Sequence, residues 1–366
     1  MIFMAKLEKK IVLDNVIFSL QKGGGVSVVW SEHLKRLMKD KRFDVSCIEY
    51  NNAEENYFRK GLVIPQEQLE KRSSRFMPIK RYLNIKGRIE APYVFHSSHY
   101  RIDTNINAKN VITVHDFVYE HFVEGLRQRV HSCQKWNAIR NADAIICISD
   151  STKKDLLYFL PDIDEKRISV IYNGVDESYC ILPPSEYSLN LPYETGEYLL
   201  YVGDRKSPYK NFKAVIDACV SLKLPLIIVG GGPMDSAEKK GMDCLLGEGH
   251  YCVMRGLSNR ELNELYNRAY ALVYPSLYEG FGIPIIEAQK AGTPVVCCYS
   301  SSIPEVVGDT DLCIKSCDTR DIIDGLRQLQ NDEFRGEIIK KGNANSQRFS
   351  WDKTYEGTTK VYLNLL

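Results

Sequence analysis

The sequence has no C-x-x-C pair and no Cys/His cluster at metal-ligand spacing, although eleven cysteines are scattered along its 366 residues. Several lie inside apolar runs, such as Cys147 in ADAIICIS and Cys252 in HYCVMRG. They read as small buried hydrophobes in a reducing compartment. No run approaches the roughly 18–20 apolar residues that a membrane span requires. The opening MIFMAKLEKKIVLD has too short an apolar stretch for a signal peptide. Charge of neither sign dominates: 48 Lys+Arg stand against 47 Asp+Glu, for a net charge of +1. Global charge therefore points to no nucleic-acid or membrane partner. There is no Walker loop and no complete G-x-G-x-x-G. The two Asp-x-Asp pairs, Asp162/Asp164 and Asp309/Asp311, do not follow an apolar strand end as a metal–nucleotide site requires. They read as loop chemistry, and no metal is expected. A soluble cytoplasmic protein is the expectation.

What is present is ordinary globular composition, 44% hydrophobic and 26% charged, on a chain long enough for two medium domains. Short apolar runs alternate with helical patterns. KIVLDNVIF, FDVSCIEY, PYVFHS, NVITVHD, DAIICIS and RISVIYNG read as strands. This is the βαβ rhythm of a doubly wound parallel sheet. Residues 179–196 hold prolines and no clear period, and read as a linker. A second βαβ series runs from EYLLYVG through LPLIIVG, HYCVMRG, YALVYPS and TPVVCC. Within it, Ser258 and Glu261 predict a capping box. The reading is α/β, with two doubly wound Rossmann-like domains: 1–178 plus 351–366, and 197–350. In such sheets ligands bind beyond the carboxyl ends of the strands.

Four segments follow strands in that way. In SLYEGFGIPIIEAQKAGTPV, Glu279, Gly280, Phe281 and Gly282 form a tight turn, and a helix is predicted from Pro284. Glycines allow close backbone approach, and a helix N-terminus suits a diphosphate. Glu287 is placed in the first helical turn, where a carboxylate can accept two hydrogen bonds from a ribose diol. It could equally complement the helix dipole. VGDRKSPYKNF offers Arg205 and Lys210 on one strand-to-helix loop, either a diphosphate clamp or a solvated basic loop. QKGGGVSVVW places Gly23, Gly24 and Gly25 before a helix, either a phosphate or acceptor contact or a plain connection. NVITVHDFVYE sets His115 and Asp116 at a strand end. His96 and His99 in FHSSHYR either face an acceptor or satisfy a polar loop.

Taken together, E-G-F-G-x-P-x-x-E in a domain opening with V-G-x-R and K-N, with NGVD at 173–176 and FSW at 349–351, resembles the GT-B glycosyltransferases of family 4. The resemblance covers nearly the whole chain. It implies two domains facing a cleft, with 351–366 crossing back to the first. It implies that Arg205 and Lys210 clamp the donor diphosphate and that Glu287 holds the ribose. Glu279 and the backbone of Gly280–Gly282 would bind the donor sugar and phosphate, and Met254–Leu257 the base. His115 would lie near the transferred sugar, and Gly24 and Gly25 near the phosphates. It further implies a retaining, metal-independent enzyme with no cofactor, since the nucleotide sugar is a substrate. HSSHYR and TVHDFVYE look most like bacterial surface-polysaccharide (O-antigen) mannosyltransferases, which favours GDP-mannose as donor and a glycan or lipid-linked oligosaccharide as acceptor. A GT-B nucleotide-sugar epimerase and a non-catalytic nucleotide-sugar-binding subunit are the alternatives.

Residues 59–90 carry nine Lys/Arg (59, 60, 71, 72, 75, 80, 81, 86 and 88) against three Glu, with Phe76, Met77, Ile79, Tyr82 and Leu83 interleaved. This is either a solvated basic face or a peripheral docking surface for the anionic inner face of the plasma membrane.

Overall fold

A computed structural model of the protein describes residues 9–310 and 312–366. Most of the opening segment tested for a signal peptide, and Asp311 of the second Asp-x-Asp pair, lie outside the described residues. The chain divides into two compact units. One holds the chain up to Gly174 together with Trp351–Leu366, and the other is Val175–Ser350.

In the first unit the strands are β1 (Lys9–Asp14), β2 (Phe43–Tyr50), β3 (Leu69–Arg72), β4 (Tyr93–Ser97), β5 (Ala108–Val114), β6 (Ala144–Cys147) and β7 (Ile168–Val170). They form one parallel sheet in the order β3-β2-β1-β4-β5-β6-β7. In the second unit, β8 (Leu199–Val202), β9 (Leu226–Val229), β10 (Tyr251–Met254), β11 (Ala271–Tyr274), β12 (Val295–Cys298) and β13 (Cys313–Ile314) pair in parallel as β10-β9-β8-β11-β12-β13. Central strands such as YVFHS, AIIC, ALVY and VVCC are buried along their whole length. That matches parallel strands covered on both faces. The order reverses between β1 and β4, and between β8 and β11. These are the switch points outside which ligands bind.

The helix Trp351–Leu365 belongs to the first unit and is locked there by polar as well as apolar contacts. Val361 and Tyr362 enter the core beside Ile11, Leu13, Trp30 and Leu34. The fully buried Tyr362 hydroxyl lies 2.6 Å from His96 Nδ1 and 2.8 Å from His33 Nε2. The other His96 nitrogen meets Thr113 Oγ1 at 2.9 Å. His96 is thus a structural residue. Burial holds both imidazoles neutral: the His33 pKa falls to about 3 and that of His96 well below the usual range.

Residues 179–196, expected as a linker, are instead part of the second unit. Without a period of their own, they give their backbone groups to one face of the helix Asn259–Arg268. The Glu264 carboxylate accepts from the backbone N–H groups of Ser188 at 2.8 Å and Leu189 at 2.9 Å. Asn263 and Asn267 accept from Cys180 and Leu182. The same helix carries the expected Ser258/Glu261 capping box. Asp162 pairs with Arg140, and Asp164 caps the turn Glu165–Arg167. Five cysteines are buried, but Cys133, Cys180 and Cys244 are exposed, so the buried reading holds for only part of the set.

Replacing Tyr362 by Phe strands two buried imidazole nitrogens and is expected to destabilise the first unit by about 1–3 kcal/mol, measured by chemical denaturation. An unfolded histidine gains a proton below about pH 6.5, whereas folded His33 resists protonation down to about 3. Stability should therefore fall as pH drops below that upper value, by ~1.4 kcal/mol per pH unit for each such histidine. A flat profile would contradict this.

Candidate active site

In the second unit the loops after β8 and β11 meet because those strands are neighbours. The Leu277 N–H donates to Tyr209 O at 2.7 Å, joining the two loops. Lys210 Nζ then lies 2.5 Å from Glu279 Oε1, with both side chains mostly buried. The Tyr274 hydroxyl also bonds to Glu279, and burial with that nearby charge pushes its pKa well up. The Glu279 loop is braced by a serine turn after β12. Ser301 Oγ accepts from the Glu279 N–H at 2.7 Å, and Ser302 Oγ donates to the carbonyls of Glu279 and Phe281 at 2.8 and 2.9 Å. Gly282 sits at φ 111°, where a Cβ would come within 3.1 Å of Ile285 Cδ1. Glycine is therefore required there.

Two expectations at this corner, the helix start and the role of Arg205, are corrected. The helix is Ile283–Lys290, so Pro284 is its second residue and Glu287 lies in the second turn. The Phe281 side chain is buried against Phe349, ring centroids 5.7 Å apart. It anchors the loop and leaves only its backbone for a ligand. Arg205, expected as half of the clamp, is almost fully enclosed. Its guanidinium makes a bidentate pair with Glu238 and donates to the carbonyls of Gly230 at 2.9 Å and Gly232 at 3.1 Å. It organises a loop rather than presenting a free cation.

That loop, Gly230–Gly231–Gly232 after β9, was not singled out as a site in the sequence. All three glycines have positive φ (100°, 71° and 71°). A Cβ on Gly230 would come within 2.8 Å of Gly203 O, and one on Gly231 within 2.6 Å of Arg205 Nη1. Three glycines and a proline directly after LIIV were the available signal.

Glu287 accepts from Tyr266 OH at 2.9 Å and from the Tyr179 hydroxyl. Burial raises its pKa to about 7 against the two hydrogen bonds that lower it. An unfolded carboxyl ionises near 4.5, so ionising Glu287 in the fold opposes stability increasingly from there up to about 7. A buried carboxyl raised in this way is a candidate for a functional role.

In the first unit His115 and Asp116 follow β5 and line a cavity of about 250 Å³ with Gln21, Arg81, His99 and Tyr100. Burial lowers the His115 pKa to about 4, opposed by the Asp116 charge, so the imidazole is neutral at neutral pH. Gly24 caps and Gly25 opens the helix Gly25–Leu37, and their neighbours Gln21 and Val26 line the same cavity. His99 takes a 2.9 Å contact from Arg81. His131, which the sequence reading did not single out, stacks on Tyr119 with centroids 3.8 Å apart. Beneath the loop, Lys135 donates to Asp116 O at 2.9 Å and to Glu120 Oε2 at 2.7 Å, in a fully buried ion pair. Among the described residues no group of three His, Cys, Asp or Glu side chains is arranged to hold a metal.

Residues 23–179 match Glycosyltransferase Family 4, and residues 189–345 match Glycosyl transferases group 1. The chain belongs to the family 4 glycosyltransferases. It is 28% identical over 287 residues to O-antigen chain mannosyltransferase B of Escherichia coli, covering 74% of each chain. It is 30% identical over 246 residues to O-antigen chain mannosyltransferase RfbU of Salmonella typhimurium, covering 66% of this chain and 65% of the relative. The serotype-specific mannosyltransferase WbdA of Escherichia coli is 29% identical over 292 residues, and the chain spans only 36% of its length. Among solved structures, sucrose-phosphate synthase from Thermosynechococcus elongatus superposes with a TM-score of 0.74 at 17% identity, covering 98% of this chain and 99% of that one. Anabaena HepE in complex with UDP-glucose gives 0.70 at 17%, covering 98% and 100%. At these identities the likeness concerns the fold, and the two parallel-sheet units make it GT-B.

For this glycosyltransferase, replacing Lys135 by Met leaves Glu120 buried without a counter-charge. The expected loss is about 3–5 kcal/mol of stability, read from a denaturation midpoint. A loss within error would show that the pair does not hold the His115 loop.

Proposed function

We propose that this enzyme is a retaining glycosyltransferase that moves mannose from GDP-mannose to a hydroxyl of a glycan, without a metal. The carrying observation is the Lys210–Glu279 pair at the ends of two neighbouring strands. An entering diphosphate offers Lys210 more negative charge than one carboxylate does. Lys210 turns to the phosphates, and Glu279 is released to accept hydrogen bonds from the sugar hydroxyls. Backbone N–H groups of the glycine corner and of Gly230–Gly232, held by Arg205, complete the phosphate cradle. Glu287, once ionised, accepts two bonds from the ribose diol. The bond from C1 to the phosphate oxygen breaks, the acceptor oxygen joins C1 on the same face, and the departing phosphate oxygen takes the acceptor proton. Neutral His115 is suited to hydrogen-bond a sugar hydroxyl. Mannose is favoured because relatives along most of the chain are named mannosyltransferases. A sugar of bacterial O-antigen is the acceptor class those names suggest.

The test is to incubate the enzyme, in chelator, with GDP-mannose, GDP-fucose or UDP-glucose and a mannose-terminated oligosaccharide, and to read the product anomer by NMR. The expected result is a mannosylated product with the donor's anomeric configuration, from GDP-mannose alone. Inversion, or an epimerised free nucleotide sugar, would contradict it. Lys210→Ala is expected to lower kcat/KM by about 10²–10³-fold. Because Glu287 must be ionised, donor KM should fall as pH rises through about 7, and the profile should flatten in Glu287→Gln.

A further inference from the structure

The folded chain separates the basic run at 59–90 into two kinds of residue. Arg59 pairs with buried Glu49, Lys71 with Glu54 and Arg72 with Glu70. Arg75, Lys80, Arg81, Lys86 and Arg88 form no ion pair among the described residues. The segment 71–89 contains no acidic residue. Neither does 125–142, which includes the helix Leu126–Arg140.

The fold joins these two segments. Gln134 of that helix donates to Arg81 O at 2.6 Å. Tyr82 and Asn84 from one segment, and Arg129, Val130 and Cys133 from the other, line a shared open cavity of about 420 Å³. The helix adds Arg127 and Arg129, likewise without ion pairs among the described residues.

Large apolar side chains project among these cations. Phe76, Ile79 and Leu83 are 61%, 62% and 56% exposed, and Leu126 is 78% exposed. Phe76 has φ 65°, a conformation uncommon for a bulky residue, yet its ring is not buried. Exposed apolar groups set among uncompensated cations match an interface that is anionic at its surface and hydrocarbon beneath it. A protein partner would leave the apolar tips beside its own charges, whereas a bilayer separates the two in depth.

We infer that residues 75–84 and 126–130 form one docking surface for an anionic lipid bilayer. Phe76, Ile79, Leu83 and Leu126 enter the acyl boundary, and Arg75, Lys80, Arg127 and Arg129 meet phosphoryl headgroups. The sequence alone marked 59–90. The structure removes both ends of that run and adds the helix face. Arg81 and Tyr119–His131 tie this surface to the His115 cavity, so a glycan carried on a lipid would reach that cavity from the bound membrane.

The experiment is vesicle flotation of the whole protein on phosphatidylcholine, with and without phosphatidylglycerol, at low and near-physiological salt. Binding is expected only with the anionic lipid and should weaken with salt. A basic side chain near an anionic surface is worth about fivefold in partition, so Lys80→Glu with Arg129→Glu should reduce binding at least ~30-fold. Ile79→Ser with Leu83→Ser should reduce it too, at unchanged net charge. Lys239→Glu with Lys240→Glu, on the second unit, should not. A nucleotide thermal shift retained in all these variants shows folded protein and keeps this result separate from the donor assignment. Absence of flotation, equal binding to neutral vesicles, or an equal loss from the 239/240 variant would overturn the inference. So would a concentration-dependent dimer in light scattering that Ile79→Ser/Leu83→Ser abolishes.

Discussion

The ion pair between Lys210 and Glu279 is the interaction around which the second unit's site is arranged. The two residues are 69 positions apart in sequence and 2.5 Å apart in space. Only the pairing of β8 with β11 brings their loops together. Taking two charges largely out of water is unfavourable unless each finds a partner. The pair therefore keeps the corner neutral, and in the proposed mechanism it is exchanged for contacts to the donor. A ligand that supplies more negative charge to Lys210, and hydroxyls to Glu279, replaces one satisfied arrangement by another. Around the pair, groups that could compete are already bound. Arg205 is taken by Glu238 and the glycine-loop carbonyls, and the Glu279 backbone by Ser301 and Ser302.

The first unit solves a different problem. Its polar residues at the strand ends are held uncharged or paired within the fold. His33, His96, His99, His115 and His131 are all pushed toward the neutral form by burial. Lys135 and Glu120 cancel each other below the His115 loop. A cavity with such walls offers directed hydrogen bonds and ring faces, a chemistry suited to sugar hydroxyls. Among the described residues Arg81 lines that cavity without an ion pair, and Arg75 and Lys80 lie on the surface carrying Phe76, Ile79 and Leu83.

Much of the fold was legible because parallel strands leave a strong mark. Runs such as ADAIICIS and YALVYPS have no polar face to confuse the reading, and the loops after them hold the informative residues. The Lys210 and Glu279 loops were identifiable for that reason, as were the glycine turn at Gly282 and the position of His115. Pairing was not legible. Nothing in VGDRKSPYKNF says that Arg205 will meet Glu238, because their meeting depends on the loop after β9 folding back. The raised pKa of Glu287 comes from burial, and the hydrogen bonds that oppose it come from Tyr266 and Tyr179, which are remote in sequence. The prolines of 179–196 suggested a linker, because a strap held by side chains of another helix has no period of its own. His96 could not be assigned until the last helix placed Tyr362 beside it.

The central claim is that Lys210 is held by Glu279 at rest and given up to a diphosphate. Calorimetric titration of bare GDP into wild type and Glu279→Gln tests it most directly. Bare GDP lacks the transferred hexose that Glu279 would bind, so removing that carboxylate's charge removes only a competitor for Lys210. The account predicts tighter GDP binding in Glu279→Gln, together with slower sugar transfer. Weaker or unchanged GDP binding would contradict it.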